Sequence, residues 1–381
     1  MKAKKQPNPL YSPLTAAGLF KEAFQVSISE RGLDVRVYYT PAIGSSGTVM
    51  VCHHGAGYSG LSFAMFAKEV TEMTKGECGV LALDARRHGN LLSLTRTVFI
   101  FSLNNRSITG KTTSIGSDDG DLSIQVLVAD FCALIQSVFP DSKSAPSLLV
   151  RTPIAICSES HLTIWTHSQL VGHSMGGSIM TRSCPILIER GYRVAGVSVL
   201  DVVEGSQPIL PSWIPSRLLK LTIGSAVDAL PHMHNLLNAR PDGFDSMEEA
   251  IEWQSVVFSY DSYLFALCSM QCSVTTHTIQ NAASARVSIP SIIKHVEGGL
   301  PPYQWRTPLR STAPYWLSWF QGLSQCFLSA RSARLLILAG TDRLDKELMI
   351  GQMQGKFQME VVPNVGHMLH EVRIHKPTIE L

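Results

Sequence analysis

The sequence lacks a hydrophobic segment long enough to cross a membrane. A membrane-spanning helix needs about 20 apolar residues, and the most apolar stretch, Val256 to Met270, is interrupted by Asp261. The basic start, MKAKKQPNPL, is not followed by the apolar core of a signal peptide. These absences predict a protein that neither enters nor crosses a membrane.

An excess of one charge is also lacking. The chain has 32 Lys and Arg against 30 Asp and Glu, a net charge of +2, so no nucleic-acid partner is predicted. The eight cysteines form no Cys-x-x-Cys pair, and Cys268 and Cys272 have no matching pair of histidines, so no metal site is predicted. Scattered cysteines are typical of a reducing, intracellular setting. We expect the cytoplasm, with the nucleus as a second location.

Six short apolar runs are present, and each ends at a residue able to do chemistry. They cover residues 48–52, 79–83, 169–171, 194–200, 335–339 and 360–362. Continuous apolar runs of this kind are typical of parallel strands buried on both faces. Stretches long enough for helices lie between them, so the pattern predicts one doubly wound α/β domain over residues 1–381, with its site at the carboxyl ends of the strands.

The third run leads into Gly172-His173-Ser174-Met175-Gly176. This is the G-x-S-x-G pattern of the α/β-hydrolase nucleophile turn, in which glycines permit a tight, strained strand-to-helix connection that exposes the serine hydroxyl. Ser174 is therefore the predicted nucleophile. The helix that follows is expected to offer the Met175 N–H to a developing oxyanion.

The first run leads into His54-Gly55-Ala56-Gly57. Small residues let backbone N–H groups approach a reacting carbonyl, so Ala56 is the second predicted oxyanion donor. We expect His54 itself to be structural.

The general base is predicted at His367, in a late Gly-His that follows the last apolar run, with His370 as a competitor. In this fold the order along the chain is serine, acid, histidine. Two aspartates end strands between Ser174 and His367, namely Asp201 and Asp342. Spacing alone slightly favours Asp342, and both stay open at this point.

Several stretches resemble the protein phosphatase methylesterases, eukaryotic enzymes that demethylate the C-terminal leucine of the type 2A phosphatase catalytic subunit. They are LVGHSMGGSI (170–179), VLDVVEG (199–205), EEAIEW (248–253), SARVS (284–288), YWLSWFQGLSQCFLS (315–329) and the long segment over 335–371 that contains IGQMQGKFQM. The resemblance implies an α/β-hydrolase fold with helices on both faces of the sheet and a helical cap, about residues 205–315. It also implies that Asp201 is the acid, with Asp342 as the alternative. The reaction it implies is hydrolysis of a methyl ester without metal or cofactor, with the phosphatase as both substrate and partner.

Four segments of similar length depart from that family pattern: residues 90–110, 150–169, 206–224 and 254–272. We call them the four departing segments and interpret them as non-native insertions, that is, translated intron sequence. Deleting the second would join Leu149 to Leu170 and rebuild one strand into the nucleophile turn. After Glu371 the family continues into a last helix, whereas residues 372–381 do not resemble it, and we interpret them in the same way.

Two other functions remain open at this point. The segment next to Ser174 allows a catalytically impaired, phosphatase-binding regulator of the same fold. The nucleophile pattern alone would also suit a generic small-molecule esterase, against which IGQMQGKFQM and DVVEG argue.

Overall fold

The structure, a computed structural model, describes residues 6–43, 47–88, 113–114, 120–140, 154–158, 161–165, 169–205, 226–255, 279–339, 344–363 and 365–372. Its strands are β1 Glu22–Ile28, β2 Leu33–Thr40, β3 Thr48–His53, β4 Cys78–Leu83, β5 Thr113–Ser114, β6 Ile154–Ser158, β7 His161–Trp165, β8 Gln169–His173, β9 Gly196–Leu200, β10 Gly243–Phe244, β11 Ile293–His295, β12 Tyr303–Trp305, β13 Ala333–Leu338 and β14 Gln358–Val361. Its α-helices are α1 Ala64–Met73, α2 Ile124–Val138, α3 Met175–Glu189, α4 Ala226–Ala239, α5 Met247–Gln254, α6 Ala282–Ile292, α7 Trp316–Phe320, α8 Leu323–Ser329 and α9 Lys346–Met353. Within these ranges, no helix is both long enough and apolar enough to cross a membrane.

One large sheet organises the described residues. Its strands lie in the order β1-β2-β4-β3-β8-β9-β13-β14, and β5 pairs with β2. Every pairing from β4 to β14 is parallel, whereas β2 pairs antiparallel with β1, β4 and β5. The predicted, mostly parallel sheet is therefore confirmed.

The central strands of the sheet carry apolar side chains on both faces, as is typical of a parallel sheet covered by helices. Strands β3, β4 and β9 are buried at every residue. Along β3, Val49 and Val51 belong to one apolar cluster with α2 and α3, while Met50 and Cys52 belong to another with α1. Helices therefore cover both faces, as predicted.

The six apolar runs of the sequence correspond to β3, β4, β8, β9, β13 and β14, with ends shifted by one to two residues in most cases. Since these strands are parallel, their carboxyl ends meet at one edge of the sheet. The residues that follow them are the ones singled out for chemistry.

The four departing segments lie largely outside the described residues. Residues 90–110 and 206–224 are wholly outside, and of 254–272 only Gln254 and Ser255 are described. Within 150–169, β6 and β7 pair with each other in an antiparallel ribbon separate from the large sheet. Their non-native origin stays a prediction.

The predicted cap region, about residues 205–315, contains α4, α5, α6 and a small antiparallel sheet in the order β10-β12-β11. Within it, Trp305 packs edge to face against both Phe244 and Trp253. Leu309 from this region contacts the loop after β3, because a Cβ at Gly57 would lie 2.9 Å from its Cδ1.

Candidate active site

Ser174 lies in the turn between β8 and α3. Its backbone has φ +52° and ψ −120°, a strained conformation for a residue with a side chain. Its N–H donates to the Leu200 carbonyl at 3.0 Å, which ties the turn to β9. A Cβ at Gly172 would clash with the Gly176 carbonyl, and one at Gly176 with the His53 carbonyl. The turn therefore requires both glycines, and Gly176 brings the start of α3 against the end of β3.

The loop after β3 lies next to this turn, because a Cβ at Gly55 would be 3.2 Å from Cβ of Ser174. The Gly57 N–H donates to a histidine ring and the Tyr58 N–H donates to the Gly55 carbonyl. The Ala56 N–H takes part in none of the hydrogen bonds found among the described residues. Ala56 follows Gly55 in this loop, so its N–H remains the predicted donor to a developing oxyanion.

The second predicted donor lies at the start of α3, directly after Ser174. Met175 is the first residue of this helix, and the first N–H groups of a helix have no intrahelical acceptor. They also carry the partial positive charge of the helix N-terminus. The role of the N–H groups of Ala56 and Met175 as oxyanion donors stays a prediction, and the position of Met175 at the helix N-terminus is consistent with it.

Two buried histidines hold the loop after β3 in shape. Nε2 of His54 accepts the Ala85 N–H at 2.9 Å, and its Nδ1 lies 2.7 Å from the Gly55 carbonyl oxygen. Nε2 of His88 accepts the Gly57 N–H at 2.9 Å, while its Nδ1 also faces a backbone carbonyl. Each ring donates through Nδ1 and accepts through Nε2, so each is neutral. Burial lowers the pKa of His88 to about 4 and the pKa of His54 well below 6.5.

His88 is a residue that the sequence analysis missed. It follows β4 closely, at the same edge of the sheet as the other predicted residues. That position is a usable signal, but the apolar run itself leads first to Asp84. Asp84 instead accepts the Gly60 N–H at 2.8 Å and the Tyr38 hydroxyl at 3.2 Å. Its burial raises its pKa to about 7.

His367 and Asp201 meet at the carboxyl edge of the sheet. Nδ1 of His367 donates to Oδ2 of Asp201 at 2.7 Å, and the Asp201 side chain is fully buried. Oδ1 of Asp201 accepts the Ala339 N–H at 2.8 Å. The carboxylate is thereby fixed on both oxygens and orients the imidazole. Asp342, the alternative acid, lies outside the described residues.

The segment that carries His367 also reaches the nucleophile turn. Nε2 of His173 lies 2.9 Å from the His367 carbonyl oxygen, and the two ring centroids are 4.5 Å apart. The predicted nucleophile and base therefore lie on adjoining segments.

His370, the competing base, stands in a different environment. Its ring is buried, stacks on Phe63 at 4.3 Å, and has no hydrogen-bond partner at either nitrogen within the described residues. Burial lowers its pKa to about 3. Because neither nitrogen of this ring bonds to a carboxylate among the described residues, the ring is poorly suited to take a proton from the serine.

The arrangement can perform acyl transfer to a serine. It combines a serine hydroxyl on a strained turn with an imidazole oriented by a buried carboxylate, next to the two backbone N–H groups that are predicted to bind an oxyanion. The described residues contain no cluster of three or more His, Cys, Asp or Glu side chains suited to a metal ion.

Comparison with solved structures identifies the fold. The E-2-(acetamidomethylene)succinate hydrolase is 15% identical with a TM-score of 0.51, over 92% of this chain and 94% of that chain. The thioesterase domain from the curacin biosynthetic pathway is 14% identical with a TM-score of 0.52, over 92% and 94%. The model of the alpha/beta hydrolase family matches residues 50–375. The predicted fold class is therefore confirmed.

Comparison with curated proteins narrows the family. The chain is 37% identical over 393 residues to protein phosphatase methylesterase 1 of Cryptococcus neoformans var. neoformans serotype D, covering 95% of this chain and 75% of that protein. It is 33% identical over 378 residues to the protein of the same name from Yarrowia lipolytica, covering 99% and 73%. The fold and the relatives together identify this chain as a carboxylic ester hydrolase. It belongs to the protein phosphatase methylesterase family of α/β-hydrolases.

Proposed function

We propose that this chain is a serine carboxylesterase that demethylates the C-terminal leucine methyl ester of the type 2A protein phosphatase catalytic subunit. The names of the relatives in Cryptococcus neoformans and Yarrowia lipolytica support a phosphatase methyl ester as the substrate. The observation that carries the mechanism is the 2.7 Å hydrogen bond between His367 and Asp201 beside the Ser174 turn.

In the first half of the proposed reaction, the Ser174 hydroxyl attacks the ester carbonyl. Nε2 of His367 takes the hydroxyl proton, and Asp201 stabilises the imidazolium that forms. The carbonyl oxygen becomes an oxyanion and receives hydrogen bonds from the N–H groups of Ala56 and Met175. His367 then returns the proton to the methoxy oxygen, and methanol leaves an acyl-enzyme on Ser174.

In the second half, water attacks the acyl-enzyme. His367 takes a proton from this water, and the oxyanion forms again at the same donors. Its collapse breaks the bond to Ser174, which regains its proton from His367. The products are methanol and the free leucine carboxylate, and neither half requires a metal or an organic cofactor.

The test uses the purified chain and its Ser174→Ala variant with methylated phosphatase. We expect the chain to demethylate the phosphatase, as followed by mass spectrometry of its C-terminal peptide. The variant should lose this activity and still bind the phosphatase, because a protein interface is far wider than one side chain. Retained turnover in the Ser174→Ala variant would refute the assignment of Ser174 as the nucleophile.

Two outcomes would favour other functions. Hydrolysis of p-nitrophenyl acetate without demethylation of the phosphatase would indicate a generic esterase. Phosphatase binding without hydrolysis of either substrate would indicate a catalytically impaired regulator. The ribbon of β6 and β7, so close in sequence to Ser174, is the feature that makes this second outcome worth measuring.

A further inference from the structure

We propose that His173 is a positioning residue that ties the base loop to the nucleophile turn. The base loop is defined here as residues 365–371, which carry His367. This inference rests on the proposed roles of Ser174 and His367. It does not depend on the phosphatase as the substrate.

The first contact joins His173 to the base loop. His173 is the last residue of β8 and is fully buried. Its Nε2 lies 2.9 Å from the His367 carbonyl oxygen. A carbonyl can only accept a hydrogen bond, so Nε2 of His173 must carry the proton and donate it.

The second contact joins His173 to the loop after β3. A Cβ at Gly55 would lie 2.8 Å from Nδ1 of His173 and 3.2 Å from its Cε1, so the ring packs directly against Gly55. Nδ1 has no hydrogen-bond partner among the described residues. Burial, together with the neighbouring His367 and His370, lowers the pKa of His173 well below 6.5 and keeps the ring neutral. The neutral ring therefore donates one hydrogen bond to the His367 carbonyl and packs against Gly55.

His367 needs such an anchor because Asp201 holds only its ring. Among the described residues, the hydrogen bond from His173 is the one that reaches the His367 carbonyl. Two anchors, one at the ring and one at the main chain, fix the direction in which Nε2 of His367 points. The base loop is also held at Glu371, whose carbonyl accepts the Asn281 N–H at 3.2 Å and whose side chain accepts the Ser284 hydroxyl at 2.8 Å. These bonds lie at the far end of the loop, so without the bond from His173 the main chain at His367 can shift while the bond to Asp201 is kept.

Three substitutions separate the donor from the bulk of the ring. In His173→Gln, the terminal amide nitrogen stands the same number of bonds from the main chain as Nε2, so the donor is kept. In His173→Phe, the ring is kept without a donor. His370→Phe is the matched control, because His370 is a buried imidazole 4.6 Å from His173 with no hydrogen bond to lose among the described residues.

We expect His173→Phe to lower kcat by roughly 10²-fold with little change in KM, because a misplacement of about 1 Å costs about that much. His173→Gln should recover most of this loss, and His370→Phe should retain the kcat of the unchanged chain. Turnover of p-nitrophenyl acetate, the rate of labelling by a fluorophosphonate probe and thermal unfolding are measured for each. A purely structural role would lower the unfolding temperature of the Phe and Gln variants alike, without the difference in kcat.

Full activity of His173→Phe, a Gln variant as impaired as the Phe variant, or a loss confined to KM would each overturn the proposal. One measurement needs no variant: nitrogen-15 NMR of the histidine rings in the unchanged chain. We expect His173 to be neutral with its proton on Nε2, and a proton on Nδ1 would overturn the proposal even if the variants fail to fold. A failure to demethylate the phosphatase would leave these readouts intact, so the two proposals fail separately.

Discussion

Replacing Asp201 with Asn tests how the buried carboxylate controls His367. In the structure, Oδ1 of Asp201 accepts the Ala339 N–H at 2.8 Å and Oδ2 accepts Nδ1–H of His367 at 2.7 Å. An asparagine offers one acceptor and one donor in place of two acceptors. Since the Ala339 N–H can only donate, the amide oxygen must face Ala339 and the NH₂ group must face His367.

This orientation forces the wrong tautomer on His367. Its Nδ1 must accept from the amide, so its proton moves to Nε2, the nitrogen proposed to receive the serine proton. The opposite orientation of the amide would point its NH₂ group at the Ala339 N–H, and a buried donor left unsatisfied costs about 1–3 kcal/mol. The tautomer with an occupied Nε2 is therefore expected to dominate.

The expected loss in kcat is about 10⁴-fold, the size found for the same change in a serine protease triad. At about 1.36 kcal/mol for each tenfold change, this is about 5.5 kcal/mol of transition-state stabilisation. KM should change little, because the substitution preserves size and leaves the substrate contacts in place.

The assay is ester hydrolysis by Asp201→Asn beside Asp342→Asn. Asp342 follows β13 in the sequence and is the alternative acid, and its replacement should cost far less than that of Asp201. A larger loss from Asp342→Asn would show that the acid lies after β13 and that the role assigned to Asp201 is wrong.

Gly55→Ala should lower kcat by about 10²-fold, the typical cost of losing one oxyanion donor. The added methyl would meet Nδ1 of His173 at 2.8 Å and Cβ of Ser174 at 3.2 Å, so the loop that carries the predicted donor would have to move. An unchanged kcat would show that the loop can shift without affecting the reaction. The free energy of unfolding, measured with urea, should fall as the pH is lowered from about 6.5 towards about 4. In this range histidines of the unfolded chain bind protons, whereas buried histidines of the folded chain stay neutral. Burial lowers the pKa of five histidines: His53, His54, His88, His173 and His370. Asp84 and Glu371, whose pKa values burial raises to about 7 and about 8, act in the opposite direction but are fewer, and a flat profile would contradict this balance. Removing the four departing segments should raise the midpoint of thermal unfolding and the rate of probe labelling; equal values for both chains would show that the segments are harmless loops.

The central strands were predictable because their burial leaves a plain mark in the sequence. Strands such as β3 and β9 are buried at every position and consist mainly of apolar residues, since they are covered on both faces. Strands β1 and β2 were missed. They lie at the antiparallel edge of the sheet, and no reactive residue follows them. The alternating burial of β2 is the mark that a search for continuous apolar runs overlooks.

The histidines that hold the site together could not have been assigned from the sequence. His88 accepts the N–H of Gly57, and His173 contacts the main chain of His367, which is far away along the chain. Their roles depend on which backbone group each ring nitrogen meets. A sequence gives the presence of an imidazole near a strand end, but the partner of each nitrogen follows only from the packing of separate loops.

The choice between two acids stayed open in the sequence for a geometric reason. Strands β9 and β13 are parallel neighbours, and Leu200 pairs with Ile337, so residues that follow either strand reach the same edge. The Asp201 N–H donates to the Ile337 carbonyl at 2.7 Å, and its carboxylate accepts the Ala339 N–H. The end of β13, which leads towards the alternative acid Asp342, thus supplies a backbone donor to the carboxylate that follows β9. A single base loop after β14 can be served from either strand, because the exchange moves the carboxylate by only one strand within the sheet.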